Sequence, residues 1–124
     1  VIHRMISAAQ GGEEIRVEEP KTLFRILFVE DAVRAIEAAL FCSQQIKSVY
    51  NVAAAEEISL EALAATIVKE TNSTSSIHNK PSAAGRRQVM NTDRVERDLA
   101  FNARSLQQNL ADMLGRTEAE YSIG

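Results

Sequence analysis

The chain has 124 residues, 45% of them hydrophobic and 25% charged, with a formal net charge of -3; this excludes a disordered polymer and leaves enough chain to bury a core, read as one domain over residues 1–124. The mild acidity argues against a nucleic-acid or anionic-membrane surface as the main partner, and no apolar run approaches the ~20 residues of a spanning helix. A single cysteine, Cys42, provides no disulfide framework and suits a reducing compartment, so the expected location is the cytoplasm.

"VIHRMISAAQGG" reads as a helix already under way at Val1, with Ile2, Met5 and Ile6 on one face and Gly11-Gly12 as its stop, so the chain is expected to be a fragment. In "EEIRVEEP", Ile15 and Val17 face one side of a short strand that Pro20 ends. The run Ile26-Leu27-Phe28-Val29 predicts a strand over about 25–29, buried on both faces as parallel strands under helices are. Glu30 or Asp31 should then cap a helix whose apolar stripe is Val33, Ile36 and Leu40.

"SVYNVA", 48–53, predicts another buried strand, and Ser59 is the expected N-cap of a helix reaching about Glu70 with Leu60, Leu63, Ala64, Ile67 and Val68 on its core face. "TNSTSS" reads as a loop, 77–79 as a brief strand and "KPSAAGRRQ" as an irregular segment rich in positive charge. A short helix capped at Thr92 or Asp93 follows, and the last helix turns Leu106, Leu110, Met113 and Leu114 inward. Tyr50 and Phe101 read as core aromatics, with a polar tip to satisfy on Tyr50. The order predicts a mixed α/β fold of short strands with flanking helices.

The segments "LFVEDAVRAIEAAL", "SVYNVAAAEEISLEALAATI", "AAGRRQV", "NTDRVERDLAF" and "SLQQNLADML", in that order, resemble the C-terminal substrate-binding portion of the NAD-dependent epimerase/dehydratase family. These are Rossmann-like extended short-chain dehydrogenases acting on nucleotide sugars, and the resemblance spans nearly the whole chain. It implies a substrate-binding fragment whose N-terminal dinucleotide-binding Rossmann domain is absent, whose partner is a nucleotide sugar, and whose intact parent uses NAD(P). It also implies that the helix after Val29-Glu30-Asp31 packs on the dinucleotide-binding sheet. The strand near Val49 to Val52 would present an apolar edge where that sheet is missing, so self-association into a homo-oligomer is expected.

The family's reaction machinery is not in this chain. The tyrosines are Tyr50 and Tyr121, neither followed by lysine at the fourth position, and the glycines at 11, 12, 85, 115 and 124 form no G-x-G-x-x-G turn. No catalytic residue and no cofactor site are therefore expected here. What the resemblance implies is phosphate grip through cations, because the guanidinium fork matches phosphate oxygens.

The expected substrate contacts are Arg86, Arg87, Lys80 and Arg25. Alignment on Val29-Glu30-Asp31 places Phe24 at the family's strand arginine and Arg25 one position along, on the opposite strand face unless a bulge intervenes. The competing reading of Arg86 and Arg87 is solvated loop charge. His3 and His78 stand far apart without ligand-spaced companions, so no metal site is expected. The other readings are a stand-alone interaction module of the NAD-binding family, and a DNA-binding helix-turn-helix over "SLEALAATIVKETNSTSSIHNK".

Overall fold

The structure is a computed structural model that describes residues 1–43, 49–81, 85–87 and 90–123, with side chains as far as 115. In chain order the elements are α1 (Ile2–Gln10), β1 (Ile15–Val17), β2 (Leu23–Phe24), α2 (Val29–Leu40), β3 (Ile58–Ser59), α3 (Leu60–Glu70), β4 (Ile77–Asn79), α4 (Asp93–Leu99) and α5 (Leu106–Ile123). The architecture is mixed α/β with short strands and flanking helices, as the sequence predicts.

The main core grows from three amphipathic helices closing over one parallel strand pair. Met5, Ile6 and Ala9 of α1, Leu63, Ala64 and Ile67 of α3, and Leu110 of α5 are buried against Ile15 and Val17 of β1. Leu60, Val68, Leu106, Met113 and Leu114 pack half-buried around them, so the expected core faces are the observed ones. β1 alternates buried, exposed, buried and pairs in parallel with β4, Ile15 opposite Ile77 and Val17 opposite Asn79. The Ser59 hydroxyl caps α3 by accepting from the Ala62 amide at 3.2 Å. Because 71–76 are turn and coil and 77–79 are strand β4, the segment 59–80 holds no second helix after α3, which removes the helix-turn-helix reading.

Three local expectations need correction. The strand placed at about 25–29 is instead Leu23–Phe24, half-buried and antiparallel to β3 (Leu23 opposite Ser59, Phe24 opposite Ile58). Beyond Phe24 the partner runs out, because the chain bends at Ala55 and Glu56, so 25–28 lie outside any ladder. Neither Glu30 nor Asp31 is the cap: α2 starts two or three residues earlier than expected, with Phe28 at the N-cap position and no side chain bonded there, and both carboxylates fall in the first turn. That is still where the helix dipole favours negative charge. The third correction concerns "SVYNVA": Ser48 lies outside the described residues, and 49–53 carry no strand assignment.

A second, smaller cluster holds α2 to α4. Ala35, Val95 and Phe101 are buried, with Tyr50 and Val52 packed on them, and the Tyr50 hydroxyl donates to Asp98 at 3.2 Å. Only Asp31 and Ala35 of α2 are buried. Its apolar stripe exists but faces outward: Val29 is 72% exposed, Ile36 59% and Leu40 73%.

Candidate functional site

The segment 85–87 is stitched to the edge of β2. The Leu23 amide donates to the Arg86 carbonyl at 2.8 Å, the Arg86 amide donates to the Thr22 hydroxyl at 3.2 Å, and Leu23 bridges Arg87 in parallel. Gly85 makes this approach possible, since a Cβ there would lie 2.1 Å from the Lys21 carbonyl oxygen. Two arginines are thereby fixed beside the β1–β2 connection and the loop before β3.

Each cation expected to grip phosphate has a defined place. Arg86 pairs with Glu19 at 3.0 Å, Arg87 with Glu57 at 3.0 Å, and Lys80 with Glu18 at 3.2 Å. The three therefore gather around the acidic residues that flank β1 and β3, all on exposed side chains. Arg25 lies apart from them. Its guanidinium donates to the Ala54 carbonyl, to the Met90 carbonyl at 2.6 Å and to the Thr92 hydroxyl at 3.0 Å, tying the 54 loop to the start of α4.

Beside this cluster is a cavity of about 160 Å³, walled by Ile26, Phe28, Ala54, Glu57, Ile58 and Arg104. Glu57 links it to Arg87, and Ala54 links it to Arg25. A larger apolar groove of about 660 Å³ runs between α1, residues 24–30 and α5, with Phe24, Phe28 and Met113 in its walls. His3 lines that groove and His78 lies on β4, and no group of metal-binding side chains occurs among the described residues.

Arg104 is the cationic residue that sequence reasoning missed. It donates to Asp112 at 2.7 Å, to Asn109 at 2.8 Å and to Glu30 at 3.4 Å, next to the buried Asp31. Its partners are scattered along the chain from 30 to 112, so no local spacing could have shown the group. The only hint was the pair of carboxylates at the start of α2.

No protein-family model matches the sequence, and comparison with curated proteins returns no relative. Solved structures do match. The Bordetella bronchiseptica enzyme WbmF, in complex with NAD+ and UDP, superposes with a TM-score of 0.82 at 22% identity over 98% of this chain and 37% of its own. The dTDP-glucose 4,6-dehydratase of Bacillus anthracis, in complex with NAD, gives 0.77 at 19% identity over 95% of this chain and 39% of its own. The UDP-glucose 4-epimerase of Thermotoga maritima, with UDP-glucose, gives 0.74 at 18% identity over 89% and 36%.

The chain shares the fold of part of each of these enzymes. The chain spans well under half the length of each of these structures. Its described glycines do not fit the dinucleotide turn of that fold. Gly11 and Gly12 follow α1 and lead to a strand, Gly85 lies against Lys21, and Gly115 is inside α5. None forms a tight turn that leads a strand directly into the N-terminus of a helix, where a pyrophosphate would be cradled.

Proposed function

We propose that this chain is the substrate-side portion of an NAD-dependent nucleotide-sugar epimerase or dehydratase, and that it performs no turnover by itself. The observation that carries this reading is the superposition of 98% of the chain on an enzyme in complex with NAD+ and UDP. Dinucleotide binding and hydride transfer belong to a part of the protein that this chain does not contain. This portion orients the nucleotide, so that the entropy of positioning is spent on binding rather than in the reaction step.

Arg86 and Arg87, with Lys80 nearby, are the proposed phosphate contacts. Their present partners are glutamates in exposed ion pairs, which are individually weak, so a phosphate able to accept two parallel N–H bonds displaces them at little cost. Arg25 is given a supporting role: each of its side-chain nitrogens already donates to a protein oxygen.

Calorimetric titration with UDP and dTDP tests the reading. Millimolar binding, near the -4 kcal/mol that ~1 mM represents, is expected from half a cleft. The double variant Arg86→Gln with Arg87→Gln should weaken it about tenfold, the loss of one to two charge-assisted contacts. Undetectable binding of either nucleotide, or a double variant that binds as well as the parent chain, overturns it.

A further inference from the structure

The short helix α4 carries two arginines, and neither is neutralised as the cations beside β1 and β3 are. Arg94 and Arg97 are three positions apart, so both guanidinium groups leave the same side of the helix, with Cβ atoms about 5–6 Å from each other. Two acidic residues of α4 are engaged elsewhere: Glu96 accepts from the Thr92 hydroxyl at 3.1 Å, and Asp98 from the Tyr50 hydroxyl at 3.2 Å. Arg97 meets Asp98 at 3.2 Å, an exposed contact between sequence neighbours. Arg94 has no hydrogen-bond or ion-pair partner among the described residues. Arg86 and Arg87, by contrast, each face a glutamate at 3.0 Å.

Both arginines line a concavity of about 450 Å³, completed by Val49, Asn51, Asn91 and Asp93. We propose that it binds a compact polyphosphate, of which inorganic pyrophosphate is the simplest, with Arg94 and Arg97 as the principal contacts. A guanidinium plane offers paired N–H donors to an oxyanion, and two such planes suit a ligand with more than one charged acceptor group. The two asparagines add donors. Asn91 accepts from the Asp93 amide through its side-chain carbonyl at 2.8 Å, which leaves its NH2 group to donate. Asn51 spends one N–H on the Asn91 backbone carbonyl at 3.4 Å and keeps the other. The size is that of a small-molecule site, yet Val49 is the one apolar residue in the lining and no aromatic ring is present there. A nucleobase therefore has no face to stack on, which selects a compact anion over a nucleoside. Asp93 is the opposing charge: two guanidinium groups against one carboxylate leave the lining net positive in a chain of formal charge -3. The site shares no residue with Arg86, Arg87 or Lys80, so it stands independently of the functional reading above.

The test is titration of the 124-residue chain with inorganic pyrophosphate at physiological ionic strength, followed by calorimetry and by amide NMR shifts. Saturable binding with a dissociation constant of about 1 mM or tighter is expected, with the largest shifts at Asn51, Asn91 and the first turn of α4. Arg94→Gln with Arg97→Gln should weaken it at least about tenfold, the loss of two charge-assisted contacts, while circular dichroism stays that of the parent. Asp93→Asn should tighten it about twofold, because a like charge leaves the site. Arg86→Gln with Arg87→Gln should leave it within about twofold of the parent. Binding that does not saturate overturns the proposal, as does an Arg94 and Arg97 double variant that binds like the parent. So does an Asp93→Asn variant that binds more weakly, and so does a tenfold loss in the Arg86 and Arg87 variant, which would move the anion to the nucleotide cluster. Pyrophosphate binding that persists where UDP fails to bind sinks the functional reading and leaves this site intact.

Discussion

Asn109 donates its side-chain amide to Asp31 at 2.9 Å, joining α5 to α2 across 78 positions of sequence. Both residues are buried, Asn109 at 4% and Asp31 at 1% exposure. Asp31 also accepts from Arg34 at 2.8 Å and from the Arg104 backbone amide at 3.2 Å. A carboxylate removed from water this completely persists because cationic and neutral donors replace the lost hydration.

Asp31→Ala should therefore cost about 3 kcal/mol, since it takes a short acceptor from the buried Asn109 amide, leaving it only the Arg104 carbonyl at 3.5 Å, and removes the acceptor of the half-buried Arg104 backbone amide. Urea unfolding followed by circular dichroism measures this as a lower midpoint at unchanged slope. A loss below about 1 kcal/mol would show that water substitutes for the carboxylate.

Gly85→Ala should detach the 85–87 segment from β2. The added methyl would meet the backbone of Lys21 and Thr22, which cannot rotate away as a side chain could. The expected cost is about 1–3 kcal/mol. Amide exchange should report it locally, with the Leu23 amide, now bonded to Arg86, losing protection. Arg86 and Arg87 would then lose their fixed position, so UDP binding should weaken in the same variant.

Arg25→Leu keeps much of the aliphatic volume and removes three donors. It should destabilise the chain by about 2 kcal/mol, because the carbonyls of Ala54 and Met90 and the hydroxyl of Thr92 each lose a charged donor. If its role is this tie, the UDP dissociation constant of the folded variant should stay within about twofold of the parent. A drop in affinity as large as that of the Arg86 and Arg87 double variant would put Arg25 in direct contact with phosphate.

Ala100→Gly should stabilise the protein. Ala100 ends α4 with φ at 52°, in the left-handed region where a Cβ is strained and glycine is not. Relief of that strain outweighs the added freedom of the unfolded chain, for a gain of about 0.5–1 kcal/mol. Thermal unfolding should show a raised midpoint.

Much of this molecule was legible from residue order. The apolar spacing of α1, α3 and α5 named Met5, Leu63, Ile67 and Leu110 as inward, and the alternation around Arg16 named Ile15 and Val17. Ser59 could be read as a cap because capping is a contact within three residues. The end of β2 could not be read, since it depends on a bend at Ala55 and Glu56, thirty positions away. The partners of Arg25, Arg86, Arg87 and Arg104 were hidden for the same reason. A guanidinium in sequence has no direction, and each of these finds its partner on an element that only folding brings near.

α2 shows where the two kinds of information separate. Its amphipathic pattern was set by the sequence alone, through the 3.6-residue period that aligns Val29, Val33, Ile36 and Leu40. Which way that face points was decided by tertiary structure: Asp31 is drawn inward by Asn109, Arg34 and Arg104, and Ala35 packs on Val95 and Phe101. Periodicity fixes the angle between the faces of a helix, but only the competition among distant partners fixes its rotation.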